Sequence, residues 1–311
     1  MSQNDTLIQE LLDTITAEKA IMDDPEVAHV VIDQNKVLGL RAVPGLHVDV
    51  EELPEGIRAN ITVDDGAVIR KTVHMCFGVL PEKGMQRIDM DVNVGKKAAI
   101  SVLAHCVFPN AVDVKHIMDA RIHVREKGTY SYLEKHVHGD KGGVKVYPKA
   151  RIELDAGARF KTEFELLKGR VGFIDIDYET TCGEASVLEM IARINGTGDD
   201  VIKLRESGVL EAHATGVLTS KIALRERSTA EIYNKLVANG PYARGHVDCK
   251  EIVQDKAVAK AIPIVEVRDP KAHITHEAAI GSVDSKQLQT LMSRGLTEDD
   301  ATELIIQGLL G

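Results

Sequence analysis

The sequence has no tryptophan, and aromatic residues fill only 4% of its 311 positions. Any core must therefore be aliphatic, drawn from the Val, Ile, Leu and Ala that dominate its 44% hydrophobic content. Side chains that branch at Cβ suit stacked strands. No apolar run approaches the roughly 18 residues that a membrane-spanning helix needs. Residues 1–12 are polar and then amphipathic, without the apolar stretch of a signal peptide. A soluble, cytoplasmic protein is expected. Basic blocks are also missing: 38 Lys and Arg face 48 Asp and Glu, a net charge of −10. Non-specific binding to nucleic acid needs clustered cations that release counterions, so that class is excluded. The four cysteines, Cys76, Cys106, Cys182 and Cys249, form no C-x-x-C pair. They read as thiols, each by default a small buried hydrophobe.

The motifs of self-contained catalysis are absent as well. Gly95-Lys96-Lys97 lacks the first glycine and the Ser/Thr of a phosphate loop. Gly196-Thr197-Gly198 lacks the third glycine of a dinucleotide fingerprint. There is no nucleophile elbow, and His276-Glu277 is followed by Ala278-Ala279-Ile280, not by the second His of a zinc helix.

What is present divides the chain in three. Leu7, Ile8, Leu11, Leu12 and Ile15 mark one face of a helix over residues 5–21, inside an N-terminal helical segment of residues 1–42. Residues 43–267 switch to period two, as in Ile174-Asp175-Ile176-Asp177-Tyr178 and Lys221-Ile222-Ala223-Leu224-Arg225. Turn-like stretches at Gly157, Gly183, Ser207-Gly208, Ser228 and Asp255 recur every ~20–27 residues, the mark of stacked coils. A coil of that size cannot bury its own apolar face and must stack on its neighbours. The expected fold is mainly β: a β-solenoid, in the form of a parallel β-helix. A β-sandwich would read similarly. Residues 268–311 form a C-terminal helical segment. Leu288, Leu291 and Met292 lead to a Gly295 stop, Thr297 to Asp300 resemble a cap, and Ala301, Leu304 and Ile305 follow. Such a hairpin either caps its own solenoid or docks a partner.

Three clusters carry possible chemistry: His105-Cys106, His136-Val137-His138, and the pair Gly245–Cys249 and His273–Glu277. Period two places His136 and His138 on one strand face. In the third cluster, Cys249 and His276 are separated by about one coil, so adjacent rungs would bring together a thiolate, an imidazole and a carboxylate. Thiolates are the soft ligands of iron–sulfur clusters, and a neighbouring imidazolium favours the thiolate. The plain alternative is a buried Cys and an unrelated exposed His-Glu pair.

Those residues resemble the SufB/SufD family, the scaffolds of the sulfur-mobilisation (SUF) pathway. The matching block is His273-Ile274-Thr275-His276-Glu277-Ala278-Ala279-Ile280-Gly281, then Leu291-Met292-Ser293-Arg294-Gly295-Leu296 and Ile305-Ile306-Gln307-Gly308, with Tyr242–Cys249 as a second block. The resemblance implies a right-handed β-helix with helical ends, and dimerisation through that core. It also implies C-terminal helices that bind SufC, an ABC-type ATPase, so that ATPase activity sits in the partner and this chain is a scaffold, not an enzyme. It places Cys249, Glu277 and His276 as ligands of a nascent cluster of the [4Fe-4S] type that passes to acceptor apo-proteins. Cys249 and Glu277 fall on SufB-type positions, and His276 falls on a SufD-type position. Their coexistence in a short chain with four cysteines implies the minimal, homodimeric form. Whether Cys76, Cys106 or Cys182 takes part stays open. A structural adaptor for the ATPase, without a cluster, is the alternative.

Overall fold

The structure is a computed structural model that describes residues 7, 8, 10, 11, 13 and 24–311. Residues 7, 8, 10, 11 and 13 are helical, and the rest of the helix expected over residues 5–21 lies outside the described residues.

The chain winds as a parallel β-solenoid of about eight turns, followed by two C-terminal helices. Each coil contains two strands, one for each of two facing sheets. One sheet has ten strands and the other nine. Regular winding runs from β5 (Val73–Gly78) and β6 (Lys83–Val94) through β7 (Ala99–Phe108), β8 (Asp113–Val124), β9 (Thr129–His138) and β10 (Val144–Leu154). It continues through β11 (Arg159–Lys168), β12 (Gly172–Cys182), β13 (Val187–Gly196), β14 (Val201–Leu210), β15 (Thr215–Leu224) and β16 (Thr229–Ala238). The last coils are β17 (Arg244–Val253), β18 (Val258–Val267) and β19 (His273–Gly281). Over this winding, odd strands stack in one sheet and even strands in the other, so each of these connections turns a corner between sheets.

Alternation explains the packing. In β9 and β13 every second residue is buried, because successive side chains point to opposite faces of a strand. The inner ladders are aliphatic, as in Met190, Leu218 and Val247. The outer faces carry opposite charges on neighbouring rungs. Arg121 lies opposite Asp91 in register and binds it at 2.6 Å.

The repeat is longer than the turn spacing implied. Odd strands begin at 99, 129, 159, 187, 215, 244 and 273, a rung of 28–30 residues. The expected ~20–27 mixed the two corner columns and counted Ser207-Gly208 as a corner, whereas both residues lie inside β14. Gly208 is there for space: a Cβ would sit 2.9 Å from Leu188 and 3.0 Å from Leu236.

Strands also run beyond residues 43–267 on both sides. At the N-terminal end, β1 (His29–Asp33) with β2 (Lys36–Arg41), and β3 (Leu46–Leu53) with β4 (Gly56–Val63), form antiparallel hairpins that close the solenoid. β1 is buried along its whole length, so it shows no alternation. Leu11 packs with Val31, Cys76, Leu80 and Val107 over this end, and Gly78 leaves the space it fills. At the other end, β19 is a strand within the segment expected to be helical. It terminates its sheet and has no buried residue, so its sequence lacks the alternation that marks inner rungs. Helices α1 (Ser285–Met292) and α2 (Glu298–Leu310) follow, capped by Asp284 and Thr297. They fold back along the odd sheet. Ile306 and Leu310 are buried with Val283 against Ala223, an outward residue of β15 that α2 covers.

Candidate functional site

The third sequence cluster assembles at the open end. β17 and β19 are neighbours in parallel register, with Val247 opposite His276, Asp248 opposite Glu277 and Cys249 opposite Ala278. The rung there is 29 residues, since 249 pairs with 278, and this sets the faces. Residues 247, 249 and 251 share the inner face, and His276 falls on the same face as Cys249. Glu277 falls on the outer face with Asp248. The structure therefore brings Cys249 and His276 to one side of the sheet and places Glu277 on the other.

Cys249 is fully buried within the last coils. Its sulfur accepts from Asn234 Nδ2 at 3.6 Å. Its register partner on β15 is Ser220, whose hydroxyl donates to Glu251 at 3.3 Å. Burial pushes the Cys249 thiol up, against the Asn234 hydrogen bond that favours the thiolate. Burial also pushes Glu251 up to about 7. Asn234, Ser220 and Glu251 were missed as site residues. Glu251 had a signal, because it lies two residues from Cys249 on one strand. Ser220 and Asn234 required the register of β15 and β16.

The terminal rung itself is bare. His273, His276 and Glu277 are exposed, with Ile280 at 47%. On the outer face, Asp248 binds Lys250 at 3.0 Å. That hydrogen bond, together with the charges of Asp248 and Glu277, raises the Lys250 pKa. His246 Nδ1 contacts the Thr275 hydroxyl at 2.8 Å across the two strands. The arrangement offers a soft thiol one layer below the surface, an imidazole on the same face of the next rung, over Val247, and a carboxylate–ammonium row on the reverse side. Only residues 282–284 separate β19 from α1, so the helices connect almost directly to the rung that covers Cys249.

The other two clusters also resolve by face. His105 is half-buried on the outer side of β7, while Cys106 is buried inside. His136 and His138 share a face as expected, and that face is the core. Cys76 and Cys182 are buried, with thiols pushed up to about 12 by burial.

Residues 79–309 match the family model described as SUF system FeS cluster assembly, SufBD core domain. The chain is 37% identical to an iron-sulfur cluster assembly SufBD family protein of Methanocaldococcus jannaschii over 310 residues, 97% of this chain and 98% of the relative. It is 36% identical to a second protein so described, from Pyrococcus horikoshii, over 92% of this chain and 87% of the relative. A shorter match, 36% over 69 residues, joins 22% of this chain to 15% of the iron-sulfur cluster assembly protein SufB of Bacillus subtilis.

Proposed function

The chain belongs to the SufBD family of iron–sulfur cluster assembly proteins, and from that premise we propose that it is the scaffold on which a nascent cluster is built before transfer to acceptor apo-proteins. The observation that carries the reading is a single one. Cys249, the one cysteine within the last coils, lies under a bare terminal rung that bears His276 and Glu277. The cluster, of the [4Fe-4S] type, is cargo and not a resident group. It needs several thiolate, imidazole or carboxylate ligands, more than one copy of this rung supplies. Two copies related by a twofold axis double the set.

The scaffold works as a cytoplasmic homodimer with a SufC-like ABC-type ATPase, which docks on α1 and α2 and supplies the ATPase activity. No helix among the described residues is long and apolar enough to cross a membrane. Burial of Cys249 gives the ATPase its task. In the closed rung the sulfur is covered and the thiol is held protonated. The 282–284 connection carries displacement of the helices to β19, lifting that strand and exposing Cys249. The ATPase drives this only to the extent that it binds the opened scaffold more tightly than the closed one.

The same burial favours a second reading. With Cys249 closed and Glu277 on the opposite face, the chain would be an adaptor for the ATPase that holds no cluster. Anaerobic co-expression with the ATPase, followed by reconstitution and iron and sulfide analysis, separates the two. Cys249→Ser is expected to fold, bind the ATPase and retain little cluster, because a hydroxyl is a poor ligand for soft iron. Glu277→Gln is expected to lose part of the cluster, and Cys182→Ser none. Wild-type iron and sulfide in Cys249→Ser, with normal maturation of an acceptor, would overturn the assignment of Cys249, and a wild-type complex that holds no iron and sulfide would establish the adaptor.

A further inference from the structure

The solenoid interior holds a second constellation, about five rungs from the terminal site, that cluster assembly at Cys249 does not use. Cys106 on β7 stands opposite His136 on β9 in register, and Ala104 stands opposite Glu134, so Cys106, Glu134 and His136 converge on the inner face of one sheet. His116 arrives from β8 in the facing sheet. All four are buried: Cys106 and His116 at 0%, Glu134 at 1% and His136 at 2% exposure. Cys106 Sγ lies 3.8 Å from His116 Nε2 and 3.8 Å from Glu134 Oε1, and Glu134 Oε1 lies 2.7 Å from His136 Nε2.

Tautomers follow from the outermost partner. His138 Nδ1 faces the Arg170 carbonyl at 3.3 Å. A carbonyl only accepts, so Nδ1 carries the proton and His138 Nε2 is the acceptor. His136 Nδ1 lies 3.0 Å from that Nε2 and must donate to it. His136 Nε2 is then a bare lone pair, and the Glu134 carboxyl donates its proton to it. Burial agrees with this neutral chain: it lowers His136 and His116 to about 3 and raises Glu134 and Cys106. Two polar atoms are left over, Glu134 Oε2 and His116 Nδ1, buried without a partner. An unsatisfied buried polar atom is costly, and Phe108 packs against His116 and His138, so the pocket wall is apolar.

We propose that Cys106, Glu134 and His136, whose ligand atoms lie within 4.8 Å of one another, form a binding site for one divalent first-row transition metal ion inside the solenoid, with His138 as the positioning residue behind His136 and His116, close to the Cys106 sulfur, moving inward as the fourth ligand. In a tetrahedral site with metal–sulfur bonds of about 2.3 Å and metal–nitrogen or metal–oxygen bonds of about 2.0 Å, ligand atoms sit roughly 3.3–3.5 Å apart. The 3.8 Å separation of Cys106 and Glu134 needs only a small contraction, the 2.7 Å pair must open when the metal takes the place of the proton between them, and His116, 3.8 Å from Cys106, must turn further in toward the other two ligands. Charge selects the ion. Binding releases one proton from the Cys106 thiol and one from the Glu134 carboxyl. A dication, a thiolate, a carboxylate and two neutral imidazoles then sum to zero, which a low-dielectric core tolerates. The mixed sulfur, nitrogen and oxygen set favours iron(II), cobalt(II) or zinc over magnesium or calcium. His138 fixes the ring of His136, the role that outer hydrogen-bond partners play at metal histidines.

The test uses the full-length chain, refolded or expressed with cobalt(II) as the probe and desalted before analysis. The expected result is one tightly held cobalt per chain, with thiolate-to-cobalt charge transfer and the ligand-field absorption of four-coordinate cobalt. Cys106→Ser should lose the charge-transfer band. Glu134→Gln, a neutral isostere of the protonated side chain, should keep the fold by circular dichroism and lose most of the metal. His138→Gln should weaken binding by about ten- to hundredfold. The Cys249→Ser, Glu277→Gln double variant should retain both metal and bands, which keeps the outcome independent of the cluster-scaffold reading. The proposal is overturned if the wild-type chain retains no cobalt, if its cobalt lacks the thiolate band, or if uptake disappears with Cys249 while persisting in Glu134→Gln.

Discussion

Cys249 and Glu251 are two residues apart on β17 and share its inner face, so a period-two reading of the strand alone pairs a thiol with a buried carboxyl. The same rule separates Glu277 from Cys249, because a strand inverts its faces with each residue and Cys249 stands opposite Ala278, next to Glu277 in the chain. The site residues were legible as residues. Their faces were not, since register depends on corner lengths that vary between coils. A buried carboxyl in another rung gives a cleaner test of this interior. Glu206 on β14 is 2% exposed, its Oε2 has no partner, and burial raises it from 4.5 to about 8. The folded chain thus holds a proton that the unfolded chain releases above about pH 4.5. Its contribution to stability is complete below that pH and is lost as pH rises toward 8. Glu206→Gln mimics the protonated form. It is expected to exceed wild-type stability by ~3 kcal/mol at pH 7, with the difference vanishing near pH 4. Urea unfolding at several pH values measures this, and a pH-independent difference would contradict it.

At the scale of elements, the strands of the middle coils announced themselves because both their faces have clear tasks, aliphatic inside and charged outside. β1 and β19 did not. One is buried throughout and the other exposed at every position but Ile274, and neither leaves a period. The C-terminal helices were expected to present Leu288, Leu291, Met292, Leu304 and Ile305 to a partner. The structure divides that set. Leu288 and Ile305 pack toward the solenoid beside the buried Ile306 and Leu310, whereas Met292 and Leu304 remain exposed at 41% and 47%. Glu303 ties α2 to Arg225. Two kinds of variant should therefore behave differently. Ile306→Ala leaves a cavity between α2 and the sheet and is expected to loosen the hairpin by about 2–5 kcal/mol, read as faster hydrogen exchange in α2. Met292→Asp with Leu304→Asp is expected to leave that exchange unchanged and abolish co-purification with the ATPase. Deletion of residues 284–311 should remove ATPase binding and spare the β-core. Undiminished binding by the deletion would rule out docking on these helices.

For the whole molecule, composition alone indicated stacked aliphatic rungs, but it carried no information about which end is open. The two ends differ physically. The N-terminal end finishes in antiparallel hairpins, and its edge strand β3 exposes His47, Asp49, Glu51 and Glu52, charges that discourage another strand from adding. At the other end, β18 is blunted by Pro263 and Lys260, whereas β19 reads HITHEAAIG, with no Lys, Arg or Pro to protect it. An unprotected strand edge needs a cover, and a second copy of the same strand provides one. Antiparallel pairing of β19 with β19 across a twofold axis would continue the ten-stranded sheet into its mate. It would bury the exposed Ile280 and place both copies of His276 and Glu277 beside the axis, where the proposed cluster needs its shared ligands. The full-length chain is expected to sediment at twice its chain mass. Ile280→Lys combined with Ala279→Lys adds charge to that edge at positions that do not stand opposite Cys249 and leaves His276 and Glu277 in place, and is expected to yield a monomer with unchanged β-sheet circular dichroism. That monomer should still bind the ATPase through α1 and α2 yet fail to hold a cluster after anaerobic reconstitution. A wild-type monomer, or a charged-edge variant that remains dimeric, would move the interface away from β19. A monomer that keeps a full cluster would refute ligand sharing across the axis while leaving Cys249 itself in place.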